Sequence, residues 1–459
     1  MKALLILLLV SCFVIVAGCS GGKTAENPTP PKEVNEEQTP DNTAEKTEEP
    51  EAPAFDLGGR TIKLSAWWDL APTDADATGQ ALVEQQKKVE EKYNVTIEYV
   101  NVPFEEYMDK FTTSVLAGEP FSDIAYLEFK SAVPAIQKGQ LLKISEFTTT
   151  NSSINKDQRL ANPAPPLLGE QYAFNGGVKG NFGHGIHYNR DLFEKLGLPD
   201  LQELYDNGEW TWSKFLEIAK QATKDTNNDG KMDTYGFSGW AAVVGRNFIA
   251  ANGGNTVLDP EDEASNAKEG LTDPKAIEAI EFLASLYSNN VVKVKTGDKV
   301  NWEEGDTFKD GDVAMFHAAQ WMIGDLNFEV GVVPYPIGPQ GSPEITYADT
   351  GLNAYFIPKG VKDPEAVYQV FEELFDVPQL EEYPTQNYLE SLYSTEDDTR
   401  IIREHITGTG LVGLDEAYPE YPYNDFIADV IVNNASVASA AEKYKQQAQA
   451  SIDKLGAVK

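Results

Sequence analysis

The stretch from Arg60 to Val100 restricts the fold more tightly than any other part of the chain, because it reads as a strand, a helix and a second strand in succession. In "RTIKLSAWW" the apolar residues Ile62, Leu64 and Ala66 fall on one face of a strand; in "GQALVEQQKKVEEKYN" Leu82, Val89 and Tyr93 recur at helical spacing; "VTIEYV" alternates again. That order makes a β-α-β unit, which implies a parallel sheet with helices packed on it. Further helices begin at caps, Asp273-Pro274 ahead of Ile277, Ile280, Ala284 and Tyr287, and Asp363-Pro364 ahead of Val367, Val370, Phe371 and Leu374. "ASVASAAEKYKQQAQASIDKL" reads as a long helix with an alanine-rich face.

The chain before that unit has a different character. "ALLILLLVSCFVIVAG" follows Lys2 and is too short for a spanning helix, so residues 1–18 read as a secretory signal peptide. It ends in Val16-Ala17-Gly18-Cys19, which resembles the lipobox of bacterial lipoproteins, with Cys19 acylated as the new N-terminus. The other cysteine, Cys12, lies within the signal, so no disulfide and no cysteine metal site is expected. A lipid on Cys19 anchors the protein to a membrane without embedding it. Residues 20–54 are rich in Glu, Thr, Pro and Asn and almost free of large apolar side chains; they read as a disordered tether.

Some four hundred residues remain from Phe55 onward, more than one core usually serves at roughly 100 to 200 residues per domain. Two lobes are expected. The net charge of -36, from 37 Lys and Arg against 73 Asp and Glu, argues against nucleic acid or anionic lipid as partner. Aromatic side chains, with 7 Trp and 20 Tyr, suffice for a core and leave some for a ligand.

The order of several later blocks resembles one family. "FEEYMDKFTTSVLAGEPFSDIAYLE", "AIQKGQLLKIS", "HYNRDLFEKLGL", "EWTWSKFLEIAKQAT", "FKDGDVAMFHAAQWMIGDL", "VPYPIGPQG" and "GLNAYFIPKGVKDPEAVYQVFEEL" follow one another as they do in the family 1 extracellular solute-binding proteins. Those are sugar-capturing lipoproteins of ATP-driven importers. Ser122 replaces the proline usual in that family, and "GVKGNFGHGIHYN" is unusually rich in glycine.

The resemblance implies a two-lobed α/β periplasmic-binding-protein fold of the class II type, each lobe a mostly parallel sheet flanked by helices. It places lobe 1 at residues 55–180 plus 348–396 and lobe 2 at 181–347 plus 397–459, with chain crossings at 178–182, 344–349 and 395–403. It also implies a carbohydrate ligand, an oligosaccharide, held between the lobes by a monomer and passed to ABC transporter permease subunits at the extracellular face of the cytoplasmic membrane.

Candidate ligand contacts follow from chemistry. In open parallel sheets ligands lie beyond the carboxyl ends of the strands, and Trp67, Trp68 and Asp69 stand where the first strand ends. An indole covers the C–H face of a pyranose while a neighbouring carboxylate accepts its hydroxyl hydrogens. Adjacent tryptophans on a strand face opposite ways, so one of the two is expected to be core. Trp321 follows "AMFHAAQ" at the spacing at which maltose-binding proteins carry a sugar-stacking tryptophan, and Trp240 resembles a cleft aromatic. Asp123, Glu128, His184 and Asn353 are polar candidates at the expected cleft edges.

Catalytic motifs are missing: no G-x-S-x-G, no H-E-x-x-H and no phosphate-binding glycine loop, and His184 and His187 should face different sides of a strand. A binding protein is therefore expected, not an enzyme. A glycan-active extracellular enzyme, or the same fold carrying peptides or another polar solute, are the alternatives.

In "DTNNDGKMDTYGF", Asp225, Asn227 and Asp229 occupy positions 1, 3 and 5 of a calcium loop, Gly230 the turn at 6, Lys231 the carbonyl at 7 and Asp233 position 9. Gly236 stands at position 12, where a calcium sensor carries Glu. With extended chain expected after it, the loop reads as a structural calcium clip and not a switch; a turn without any ion uses the same residue types.

Overall fold

The computed structural model describes residues 55–145, 170–174, 184–258, 267–295, 306–342, 353–377, 385–406 and 413–456. All belong to one compact unit, Ala52–Lys459. The signal peptide, Cys19, the tether and the crossings expected at 178–182 and 344–349 lie outside the described residues.

Two sheets organise the chain. The first contains β1 (Arg60–Ala66), β2 (Val95–Asn101), β3 (Ile124–Glu128) and β10 (Asn353–Phe356), in the order β10-β3-β1-β2. β1 pairs in parallel with β2, Arg60 opposite Val95, and with β3, Leu64 opposite Ile124, whereas β10 runs antiparallel. Ile62, Leu64 and Ala66 are buried, as the alternation requires. On one face Ile62, Leu64 and Ile97 meet Val89 and Tyr93 of α1 (Ala77–Tyr93) together with the helix Pro364–Leu374. Elsewhere around this sheet, Ala125 and Leu127 pack with α2 (Phe104–Leu116) and α3 (Phe129–Gln137).

The second sheet contains β4 (Gly185–Asn189), β5 (Tyr235–Ser238), β8 (Val313–Ala318) and β9 (Val330–Val333), in the order β5-β8-β4-β9. Only β5 and β8 are parallel; β4 runs against both β8 and β9. The expected mostly parallel sheet is therefore found in the first lobe and corrected in the second. Antiparallel neighbours need no crossover helix, and β4 does not reach this sheet from another of its strands. A short pair, β6 (Val257–Leu258) with β7 (Lys268–Glu269), stands apart.

The return to the second lobe comes earlier than residue 397. Leu389 and Tyr393 already pack in the core around the second sheet, and the Tyr393 hydroxyl shares a 2.8 Å hydrogen bond with His187 Nε2. Burial of an apolar pair decides the position, which a motif boundary does not. Asp398, buried beyond it, accepts hydrogen bonds from Arg190, Gln202 and the Val332 amide. Of the two expected caps, Asp273 accepts from the Lys275 amide, but Asp363 sits at φ +46° with no side-chain cap and lies 3.9 Å from Arg60.

Candidate functional site

At the carboxyl edge of the first sheet three strand ends bring aromatic and acidic side chains together. β1 ends at Ala66 and delivers Trp67, Trp68 and Asp69; β2 ends at Asn101 and leads through Pro103 to Phe104; β3 ends at Glu128. Asn353, the first residue of β10, stands opposite Glu128 in the antiparallel register. Trp67 is half-buried and wedged by rings on several sides, with centroids at 5.5 Å from Phe104, 5.8 Å from Tyr107 and 5.5 Å from Tyr126. Trp68 meets Tyr126 edge-on at 4.9 Å and remains 40% exposed. The two indoles lie just past β1, touch each other and share Tyr126, but one is wedged into packing and the other is open to solvent.

Phe104, absent from the expected set, is 49% exposed and has the Lys130 ammonium 6.0 Å from its ring centre. The sequence signal for it is a large apolar residue directly after Pro103, at the first turn beyond a strand. Lys130 also lies 3.0 Å from the Glu128 carboxylate. Burial raises the Glu128 pKa, Lys130 opposes that shift, and the Glu416 carboxylate adds to it.

Asp123 does not belong to this edge. It precedes Ile124 at the amino end of β3, where it pairs with Arg60 and accepts the Lys63 amide at 2.9 Å, so its carboxylate closes the opposite end of the sheet. Nearby Ser122, in place of a proline, is buried with its hydroxyl 2.7 Å from that of Ser65.

The second sheet gathers His184, Trp240 and Trp321 at one edge. β5 and β8 are parallel and end there, and β4 begins there, with Gly185 opposite Ala318. Trp240 is half-buried against the second core and precedes the helix Ala241–Ala251. Trp321 lies in the short turn Gln320–Met322 and is 50% exposed. Glycine is required at 239, just before Trp240: a Cβ at that position would stand 2.8 Å from the His317 Cβ.

His184 stacks on His317 with centroids 4.7 Å apart, and the Tyr335 hydroxyl bonds His317 Nδ1. Burial, with His184 and His187 nearby, holds the His317 pKa far below the usual histidine range. His187 turns instead to Tyr393, and burial lowers its pKa to about 3. Both buried rings are neutral near pH 7. Gln320 was also not anticipated: it is completely buried, and neither its amide nitrogen nor its amide oxygen has a hydrogen-bond partner.

The loop at 225–233 joins the helix Trp212–Ala222 to β5 and is closed at its base by the bridge between Lys224 and Thr234. Asp225 accepts the amides of Asp229 and Gly230 at 3.2 and 2.9 Å, Asn227 accepts Asp229 at 2.8 Å, and Asp229 accepts Lys231 at 2.8 Å. Asp233 accepts the Thr226 amide at 2.7 Å, and the Thr226 hydrogen bonds lower its pKa. The oxygens are of the type that calcium takes, yet many of them already accept the loop's own N–H groups. Among the described residues no three His, Cys, Asp or Glu side chains converge as a metal-holding group. Gly236 has a steric reason, since a Cβ there would lie 2.2 Å from the Ala219 carbonyl oxygen. No glutamate fits where a calcium sensor needs one.

Residues 71–379 match the family profile described as bacterial extracellular solute-binding protein. No curated protein sequence matches the chain. Among solved structures, an ABC substrate-binding protein from Listeria monocytogenes in complex with cycloalternan is 20% identical with a TM-score of 0.57, over 87% of this chain and 100% of that one. The maltose/maltodextrin-binding domain of Bdellovibrio bacteriovorus bound to maltotriose is 18% identical with a TM-score of 0.55, over 86% and 99%. UgpB from Mycobacterium tuberculosis in complex with glycerophosphocholine is 16% identical with a TM-score of 0.58, over 86% and 98%. At such identities the likeness establishes the two-lobed fold alone.

Proposed function

The chain belongs to the bacterial extracellular solute-binding protein family, and on that premise we propose that it captures a carbohydrate, specifically an oligosaccharide, and delivers it to the membrane subunits of an ABC importer. The observation that carries this proposal is the pair of exposed indoles, Trp68 and Trp321, each at the strand edge of its own sheet where such folds take ligands. Around Trp68 stand Asp69, Glu128 and Asn353 to accept or donate hydrogen bonds to hydroxyls, and Phe104 lengthens the apolar plate. Behind the second edge the buried, neutral His187 and His317 are held by the Tyr393 and Tyr335 hydroxyls, and His317 backs His184. Several structural neighbours are named for sugar ligands, which supports the same choice.

In this proposal the protein is a monomer that hangs from the extracellular face of the membrane by a lipid on Cys19, and it releases its cargo unchanged. A thermal-shift screen of glycans and peptides tests the cargo. A ligand at a hundred times its Kd adds roughly 2.7 kcal/mol to the folded state, so a matching oligosaccharide raises the melting temperature clearly. Stabilisation by peptides alone overturns the carbohydrate assignment, and hydrolysis of the bound glycan overturns the assignment as a carrier.

We also propose that the loop at 225–233 takes a structural calcium ion, for which Asp225, Asn227, Asp229, Asp233 and the Lys231 carbonyl would have to exchange hydrogen bonds within the loop. Its placement at the corner between a helix and β5, with no second helix to move, supports a clip. Chelation is expected to lower the melting temperature while leaving sugar affinity intact; loss of sugar binding in a protein that remains folded excludes that role.

A further inference from the structure

Beside Trp68 the first lobe holds a pocket of about 310 Å³ whose walls include Leu82, Tyr99, Leu374, Phe375 and Val377. Trp68 is common to this pocket and to the strand edge, so the two adjoin. Leu82 falls at helical spacing with the buried Val89 and Tyr93, yet it is half-buried and faces the pocket.

The walls are pinned. Gln85 Nε2 donates to the Glu373 carbonyl at 2.8 Å and Lys92 pairs with the Glu373 carboxylate at 2.7 Å, tying α1 to the helix Pro364–Leu374. The Tyr99 hydroxyl donates to Gln86 Oε1 at 3.1 Å. The turn ahead of α1 closes tightly: a Cβ on Gly79 would lie 2.1 Å from the Thr73 carbonyl oxygen, and Asp76 accepts the Gly79 amide at 2.7 Å. Such a pocket exists before any ligand arrives.

Its chemistry is selective. Among the described residues the charged ones lining it are Asp69 and Asp76, which repel a phosphate or uronate. Each carboxylate already accepts a backbone amide, from Ala71 and Gly79, and the Tyr99 hydroxyl is engaged with Gln86. A whole sugar ring would bury several hydroxyls against mainly apolar walls, at a cost that few partners offset.

We propose that this pocket is a subsite for an alkyl or aryl substituent carried by the carbohydrate, with Trp68 as the wall shared between sugar and substituent. The assignment rests on the carbohydrate function proposed above. Each methylene entering the pocket strengthens binding roughly fourfold, so a ladder of methyl, butyl and hexyl glucosides and maltosides, titrated into the full chain, measures it. The free alcohols, butanol and hexanol, form a second arm read by tryptophan fluorescence.

Affinity that climbs with chain length on a sugar that binds, and a ladder flattened by Leu82→Trp without change in methyl glycoside affinity or melting temperature, is the expected result. Leu82→Ala provides the gentler variant and should move the optimum to a longer chain. A flat ladder on a sugar that binds overturns the subsite while leaving the carbohydrate function standing. Binding of the alcohols without any glycoside, abolished by Leu82→Trp, keeps an apolar pocket but overturns its assignment to a sugar's substituent. No binding in either arm overturns it as well.

Discussion

The two strand edges proposed above to meet ligand are built in opposite ways. The first is open: Trp68 and Phe104 are exposed, Trp67 wedges them from behind, and Glu128 and Lys130 bring charge. The second is closed: His187, His317 and Gln320 are buried and neutral, and among its singled-out residues Trp321 is the exposed one. An edge of packed rings can change one member with local effect, whereas an edge of buried polar groups ties ligand chemistry to folding, since every such group needs a partner.

The contrast breaks first, if it is wrong, at the two adjacent tryptophans. Trp67→Ala removes the ring on which its neighbours pack and is expected to cost about 3 kcal/mol of stability, read by urea denaturation. Trp68→Ala leaves stability nearly unchanged and lowers glycan affinity roughly tenfold to a hundredfold, as does Trp321→Ala on the other edge. Equal stability losses at 67 and 68 would erase the division between wedge and plate.

Acidity sharpens it next. The folded pKa of His187, about 3, lies below its unfolded value of roughly 6.5. The unfolded chain therefore binds more protons between those values, and the stability from the neutral ring is present above pH 6.5 and lost as pH falls. Each such histidine contributes a slope of up to about 1.4 kcal/mol per pH unit. Glu128 has the opposite sign, because its folded pKa is raised: its contribution weakens as pH rises through that value. Denaturation midpoints from pH 7 to 5 should fall, and they should fall more steeply in Glu128→Gln.

Gln320→Leu is a smaller and more unusual test. Replacing a buried amide that lacks partners by an apolar side chain of similar size should raise stability by about 1 kcal/mol. If sugar affinity drops at the same time, the amide serves the ligand; if stability falls, a water fills its needs. Last, Glu128→Gln at neutral pH should change stability by less than about 1 kcal/mol, because Lys130 is exposed and the pair is well screened.

Much of the first edge was legible because it follows from period and order. Ile62, Leu64 and Ala66 alternate, a helix follows, and Trp67 to Asp69 come at the strand's end whatever the rest of the chain does. Asp123 shows where such reasoning stops. It lies five residues from Glu128, but along an extended strand that distance is roughly 17 Å, enough to place it at the other end of the sheet. Phe104 and Gln320 escaped for a related reason: neither carries a motif, and one matters by exposure, the other by burial without partners. Leu389 and Tyr393 looked like part of the first lobe until their side chains were seen in the second core.

Sequence by itself determined the β-α-β opening, the strand ends that carry tryptophan and the oxygen-rich loop with Gly236 in place of glutamate, since each depends on neighbours within a few residues, and it determined the family through the order of blocks along the chain. Tertiary structure alone decided which indole is open, that Asp123 and Glu128 stand at opposite ends of the sheet, why Gly236 admits no side chain, and that a pocket lies between α1 and the helix Pro364–Leu374. Those outcomes depend on packing between residues as far apart as Gln85 and Glu373, and no local pattern records such a meeting.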